Sequence, residues 1–161
     1  MKSAIRSQLA TLWLLTAFAL PQAAWTGEET EAVEPCTPEE IHIQLETQGE
    51  VSFVSGGIGR CEALEMQRIA RDYPLELVFV KKTPSYETYL ASIPVVVTDS
   101  KGNFILDAVT NGPFLLASLP AGRYEVSANY NGEVKAQRVT VGKQHQRIVF
   151  VWREQVPPPE Q

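Results

Sequence analysis

The dipeptide Asn131-Gly132 constrains this chain more than any other feature of it. A two-residue loop of that composition favours positive φ at both positions. It therefore makes a hairpin turn whose twist matches the flanking strands. The residues on either side alternate as such strands should. Tyr124, Val126, Ala128 and Tyr130 share one face, and Arg123, Glu125, Ser127 and Asn129 share the other. The loop length then sets the register, with Tyr130 opposite Glu133, Val126 opposite Gln137 and Tyr124 opposite Val139. On the outer face the same register brings Glu125 to Arg138, an opposite-charge pair.

Around this hairpin the chain reads as short strands between turn signals. "IPVVVTD" begins at Ile93, and Pro94 places its start at an edge or ahead of the ladder. "DSKGN" turns the chain into "FILDAV". "TNGP" turns it into "FLLASL", and "PAG" leads into the hairpin. The last strand, "QRIVFVW", is apolar on both faces through Ile148–Trp152, which predicts a strand internal to a sheet or covered. No amphipathic helix follows Pro74. Closely spaced strands and turns of this kind predict a β-sandwich or barrel.

The first half differs. "IHIQLE" alternates from Ile41 to Glu46 and predicts a half-buried strand, and "GEVSFVS" predicts a second, with "TQG" as the turn between them. After "GGIG", Met66, Ile69, Ala70 and Tyr73 recur at helical spacing. Glu62 and Glu65 near the start, and Arg68 and Arg71 near the end, suit a helix dipole, and Pro74 stops the helix. "LELVFVKK" then leaves as a strand. Residues 41–82 thus form a strand–helix–strand segment ahead of the sandwich at 93–153. The segment either adds a layer to that sandwich or forms a small lobe of its own.

Glycine-rich turns between strand and helix often cradle phosphates, so spacing decides. No lysine follows the glycines as a Walker loop requires. In a dinucleotide loop the third glycine permits close packing, and here that position is Glu62. Its carboxylate also stands where a phosphate would arrive. The cluster reads as a sharp corner made by positive-φ glycines.

The N-terminus carries the compartment signal. Lys2 and Arg6 precede the apolar run Leu9–Leu20, Pro21 breaks it, and Ala23-Ala24 follow. Residues 1–24 therefore read as a secretory signal peptide, with an uncleaved anchor as the alternative. Residues 25–40 are acidic and proline-containing, a flexible leader by composition, and 154–161 form a disordered tail. Without Lys2 and Arg6 the chain has 12 basic and 19 acidic side chains. Six of those acids lie between Glu28 and Glu40, so the acidity belongs to the leader. No basic patch points to nucleic acid, and nothing after the signal is long and apolar enough to span a membrane. In an exported chain the two cysteines, Cys36 and Cys61, are expected to pair. The alternative is a reactive Cys61 thiol beside Arg60 at a helix N-terminus.

Residues 95–141 also resemble the carboxypeptidase regulatory-like domains. The positions that carry the likeness are Val95, Val97, Asp99, Gly102, Gly112, Phe114, Leu119, Gly122, Tyr124 and Val126, with Pro113 a departure between the central glycine and phenylalanine. The resemblance implies a transthyretin-like, immunoglobulin-like sandwich of seven strands. It also implies an accessory role with no shared catalytic residues.

Few groups are available for catalysis. His42 and His145 lie far apart and outside any zinc-protease spacing, so neither a metal nor another cofactor is expected. Solvated strand positions account for both histidines, and a two-histidine surface metal site is the alternative. Glu28-Glu29 and Glu39-Glu40 fall in the leader, where nothing holds them at a fixed separation. Asp99 reads as a turn former. Tyr124, after a turn glycine, reads as a core or corner residue, whereas Tyr130 at the hairpin tip is the candidate ligand contact. "YETYL", Tyr86–Leu90, either caps the core or forms an exposed contact strip. These features predict a periplasmic or secreted module that is not an enzyme. It would bind an envelope protein or polysaccharide. The alternatives are a carbohydrate-binding module using exposed tyrosines and a thiol-dependent enzyme using Cys61.

Overall fold

The computed structural model describes residues 34–154. The signal segment 1–24, residues 25–33 of the leader and residues 155–161 of the tail lie outside the described residues. Ten strands form two sheets. β1 (Leu45–Gln48), β2 (Val51–Gly56), β3 (Leu75–Lys82), β4 (Glu87–Tyr89), β7 (Phe114–Ser118) and β10 (Gln146–Arg153) make one; β5 (Pro94–Asp99), β6 (Phe104–Val109), β8 (Gly122–Tyr130) and β9 (Glu133–Val141) make the other. The first runs β1-β2-β7-β3-β10, with β4 extending the edge of β3, and the second runs β6-β5-β8-β9. The fold is a mainly β sandwich. It has six and four strands rather than seven, because the first half of the chain contributes to the larger sheet.

The Asn131-Gly132 turn has φ of 52° and 87°, positive at both residues. It sets the register derived above, with Tyr130 opposite Glu133 and Tyr124 opposite Val139. Glu125 and Arg138 meet at 3.2 Å. Inward side chains of the two sheets interdigitate between them. Val95, Val97, Leu106, Tyr124, Val126 and Ala128 face Phe53, Leu77, Phe79, Leu115, Phe150 and Trp152.

The strand–helix–strand segment is a third layer. β2 and β3 both pair antiparallel with β7, which lies between them. The helix α1 (Arg60–Ile69) crosses over the outer face of that sheet. Met66 and Ala70 are buried there against Val54, Val78, Phe114 and Leu116, with Ile69 and Tyr73 beside them. β3 is therefore apolar on both faces because both are covered.

Two expectations need correction. The first strand starts at Leu45, not Ile41. Ile43 instead packs against the helix layer, and Leu45 is 64% exposed on a short edge strand. The last strand is not internal. β10 pairs only with β3, in parallel, at the edge of the larger sheet, and α1 does not extend over it, so Val149 stays 40% exposed. The end of the acidic leader carries one short element. Pro38–Glu40 form one 3-10 turn, in which Glu40 accepts from the Thr37 N–H at 2.7 Å and the Thr37 hydroxyl at 3.2 Å. That turn holds the Glu40 carboxyl below its ordinary range.

Two side chains clasp the sheets together at opposite edges. Gln48 on β1 reaches β6, where its amide donates to the Asp107 carbonyl at 3.2 Å and accepts from the Asp107 N–H at 2.6 Å. It pairs with the β6 backbone as another strand would. At the other edge the Trp152 indole N–H donates to the Glu133 carbonyl on β9 at 3.0 Å.

Candidate functional site

The glycine corner is filled by the chain itself. Gly57 and Gly59 have φ of 103° and 81°, which turn β2 into α1. From the first helical turn Glu62 reaches back. Its carboxylate accepts from the Gly57 N–H at 2.7 Å and from the His42 N–H at 3.4 Å. A buried carboxylate thus takes one amide of the glycine turn and stands at the helix start where a phosphate would arrive. Packing closes the rest: a Cβ on Gly112 would collide with the Gly56 backbone, and one on Gly57 with the Phe114 ring. Cys36 and Cys61 are joined in a disulfide with Cα atoms 5.4 Å apart. A free Cys61 nucleophile therefore requires prior reduction.

A second charged cluster sits where β3 and β10 begin. Glu76 is buried on the helix side of the sheet. One carboxylate oxygen accepts from Arg147 Nε and the other meets His145 Nε2, each at 3.0 Å. His145 Nδ1 lies 2.8 Å from the Tyr73 carbonyl at the helix end. The cluster ties helix, β3 and β10 together. Glu76 looked like an ordinary polar alternation in "LELVFV", and its partners lie about seventy residues away. His42 is exposed and is bonded only through its backbone. Among the described residues, no three His, Cys, Asp or Glu side chains come together as metal ligands.

Asp99 builds the β5–β6 turn. It accepts from the N–H groups of Lys101 and Asn103 at 2.8 and 2.9 Å, and from the Asn103 amide at 2.8 Å. The Asn103 side chain first, then its N–H, holds the Asp99 carboxyl below the ordinary range. Nearby, an open depression of about 440 Å³ is lined by Asp99, Ser100, Arg123, Glu125, Arg138 and Thr140 among others. Tyr124 stands at its floor. Its hydroxyl donates to the Pro120 carbonyl at 2.9 Å, and burial raises its pKa. It is a corner residue.

Tyr130 lies at the opposite end of β8. It is half-buried, with its ring 5.7 Å from that of Trp152. Lys81 stands close by, bonded to Glu154 at 3.2 Å. That bond chiefly raises the Lys81 pKa, and the fields of the Tyr130 and Tyr86 hydroxyls add to it. Tyr86 and Tyr89 are 63% and 61% exposed, while Leu90 is buried in the core. So "YETYL" does both things expected of it: it caps the core and displays a strip. The turn before it is firmly held, because Thr83 Oγ1 accepts from the Tyr86 N–H and donates to the Tyr86 carbonyl, both at 3.0 Å. The Tyr89 ring rests on Phe114 at 5.8 Å.

Comparison with known proteins adds little to this geometry. No protein-family model matches the chain. No curated protein matches it. Among solved structures, the Bacillus anthracis TIE protein is similar over 49% of this chain and 16% of that one, with 15% sequence identity and a TM-score of 0.39.

Proposed function

We propose that this chain is an exported, non-catalytic β-sandwich module that binds a protein or a polymer of the cell envelope. One observation carries the reading. Glu62, Glu76, Asp99 and Tyr124 are committed to backbone groups or to the side chains of Arg147, His145 and Asn103, whereas Ile58, Leu64, Tyr86, Tyr89 and Val149 are displayed. Buried polar groups spent on structure, beside exposed aromatic and aliphatic ones, suit recognition better than chemistry. The basic-then-apolar N-terminus and the Cys36–Cys61 bridge support export to a periplasmic or extracellular compartment. The carboxypeptidase regulatory-like pattern supports an accessory role. Five of its positions, Val95, Val97, Leu119, Tyr124 and Val126, lie in the core of a sandwich. Crosslinking in intact envelopes should recover a constant partner. Recovery of uncrosslinked chain alone, in repeated trials, would sink the reading.

A carbohydrate ligand is the second reading, favoured by the exposed rings of Tyr86 and Tyr89 and by the half-buried Tyr130. Such rings offer a stacking surface with a hydroxyl at the rim. Glycan binding lost in both Tyr86→Ala and Tyr130→Ala would support it. Binding unchanged in both would end it.

A further inference from the structure

A sheet edge must be paired, covered or made uninviting, because its outward amides can template another strand. β6 is closed at Asp107 by Gln48. β1 has four residues and is exposed throughout. β9 carries Glu133, Lys135 and Arg138 along its length. β10 is different. It runs eight residues in unbroken register, without proline, and the centre of its outer side is apolar.

Hydrogen-bond direction identifies the outward groups. The Gln146 N–H donates to the Pro74 carbonyl, and the Glu154 N–H to the Lys82 carbonyl. Both therefore face β3. Successive strand residues aim their amides at opposite edges, so Ile148, Phe150 and Trp152 also face β3. Arg147, Val149, Val151 and Arg153 face away, and no backbone bond among the described residues uses their amides. Their side chains lie on the helix side of the sheet, in register with Glu76, Val78, Val80 and Lys82. Along the edge they read cation, valine, valine, cation. Arg147 bonds Glu76 yet keeps about half of its side chain exposed, and Arg153 is exposed.

We propose that β10 is a strand-addition site for an extended segment of a protein partner. The alternate residues of that segment run carboxylate, apolar, apolar, carboxylate. Four outward amide pairs supply the backbone ladder, while the valines and the two arginines set register and choice of partner. The proposal rests on the binding-module reading and adds the place and the chemistry. A second copy of this chain fits poorly. Antiparallel pairing centred on Phe150 would set Arg147 of each copy opposite Arg153 of the other, on one face.

The test uses the exported form of the whole chain and a capped peptide, Thr-Glu-Thr-Val-Thr-Val-Thr-Glu-Thr, whose pattern is the same in both directions. Hydrogen exchange should slow at the amides of Arg147, Val149, Val151 and Arg153 when it binds. A peptide with lysines in place of both glutamates should bind the unmodified chain about five-fold more weakly or worse, and Arg153→Glu, which leaves one cation and one anion on that face, should abolish the preference. Equal binding of both peptides would overturn the proposal. So would protection at β1 or β9 instead, protection at β10 from self-association without peptide, or none at millimolar peptide. An envelope partner that crosslinks elsewhere would refute this site while leaving the binding-module reading intact.

Discussion

Replacing both cysteines, Cys36→Ala with Cys61→Ala, tests how much of the stability comes from closing one loop. The bridge spans a sequence separation of 25 and encloses β1, β2 and the turn between them. In the chain-entropy model a loop of that length removes about 12 cal/mol/K from the unfolded ensemble, or about 3.5 kcal/mol at 25 °C. The folded state loses little beyond the bond. Glu62 still holds the Gly57 and His42 amides, and Met66 still packs under the helix. The roughly 120 residues of the domain give an unfolding entropy of about 250 cal/mol/K. The melting temperature should therefore fall by about 14 °C. Thermal unfolding followed by circular dichroism measures this, alongside the unmodified chain with and without reductant. Reductant should lower the melting temperature of the unmodified chain to that of the variant and leave the variant unchanged. A fall under about 3 °C would refute the loop-entropy reasoning, because the unfolded chain would then gain almost nothing from losing the bridge.

Other substitutions test separate contacts. Gly112→Ala should cost about 3 kcal/mol, since its new methyl meets the backbone of Gly56 rather than a side chain that can turn away; urea unfolding would show a lowered midpoint. Gln48→Ala should cost about 1 kcal/mol and speed hydrogen exchange at Asp107 well before its neighbours on β5, because the β6 edge loses its clasp. The Asp99 carboxyl lies below its ordinary value of 3.8 when folded, chiefly through Asn103. A depressed carboxyl stabilises the fold above its unfolded value, and that contribution is lost as the pH falls through the folded value. The stability gap between the unmodified chain and Asp99→Asn should stay constant above that ordinary value and shrink below it. A gap that widens in acid would contradict the sign.

Much of the architecture was legible because it is local. Asn131-Gly132 dictates backbone angles within four residues, and the alternation on either side leaves one register that buries Tyr124 and Val126. The helix from Arg60 to Ile69 follows from its apolar stripe, although the chain tightens into a 3-10 turn over Ala70–Asp72 before the expected stop at Pro74. The pairing of Cys36 with Cys61 was expected from the signal-like N-terminus and from there being only two cysteines. Position within a sheet was less legible. β10 is apolar on both faces, as an internal strand would be, yet it stands at an edge. Periodicity reports which side chains lie on which face, not whether a neighbour covers that face.

The sequence alone determined most of the elements, the hairpin register, the expectation of a bridge and the mainly β class, because each depends on residues near one another or on composition. Tertiary structure alone decided that β7 slots between β2 and β3, and that Glu62 binds the Gly57 amide of the glycine corner and the His42 amide beyond it. It also decided that Gln48 and Trp152 clasp opposite edges of the sandwich, and that Glu76 meets His145 and Arg147. These are contacts between elements, many of them distant in sequence. Each requires the sheets to be ordered and stacked first, and nothing in the local pattern of any one strand records which others will lie beside it.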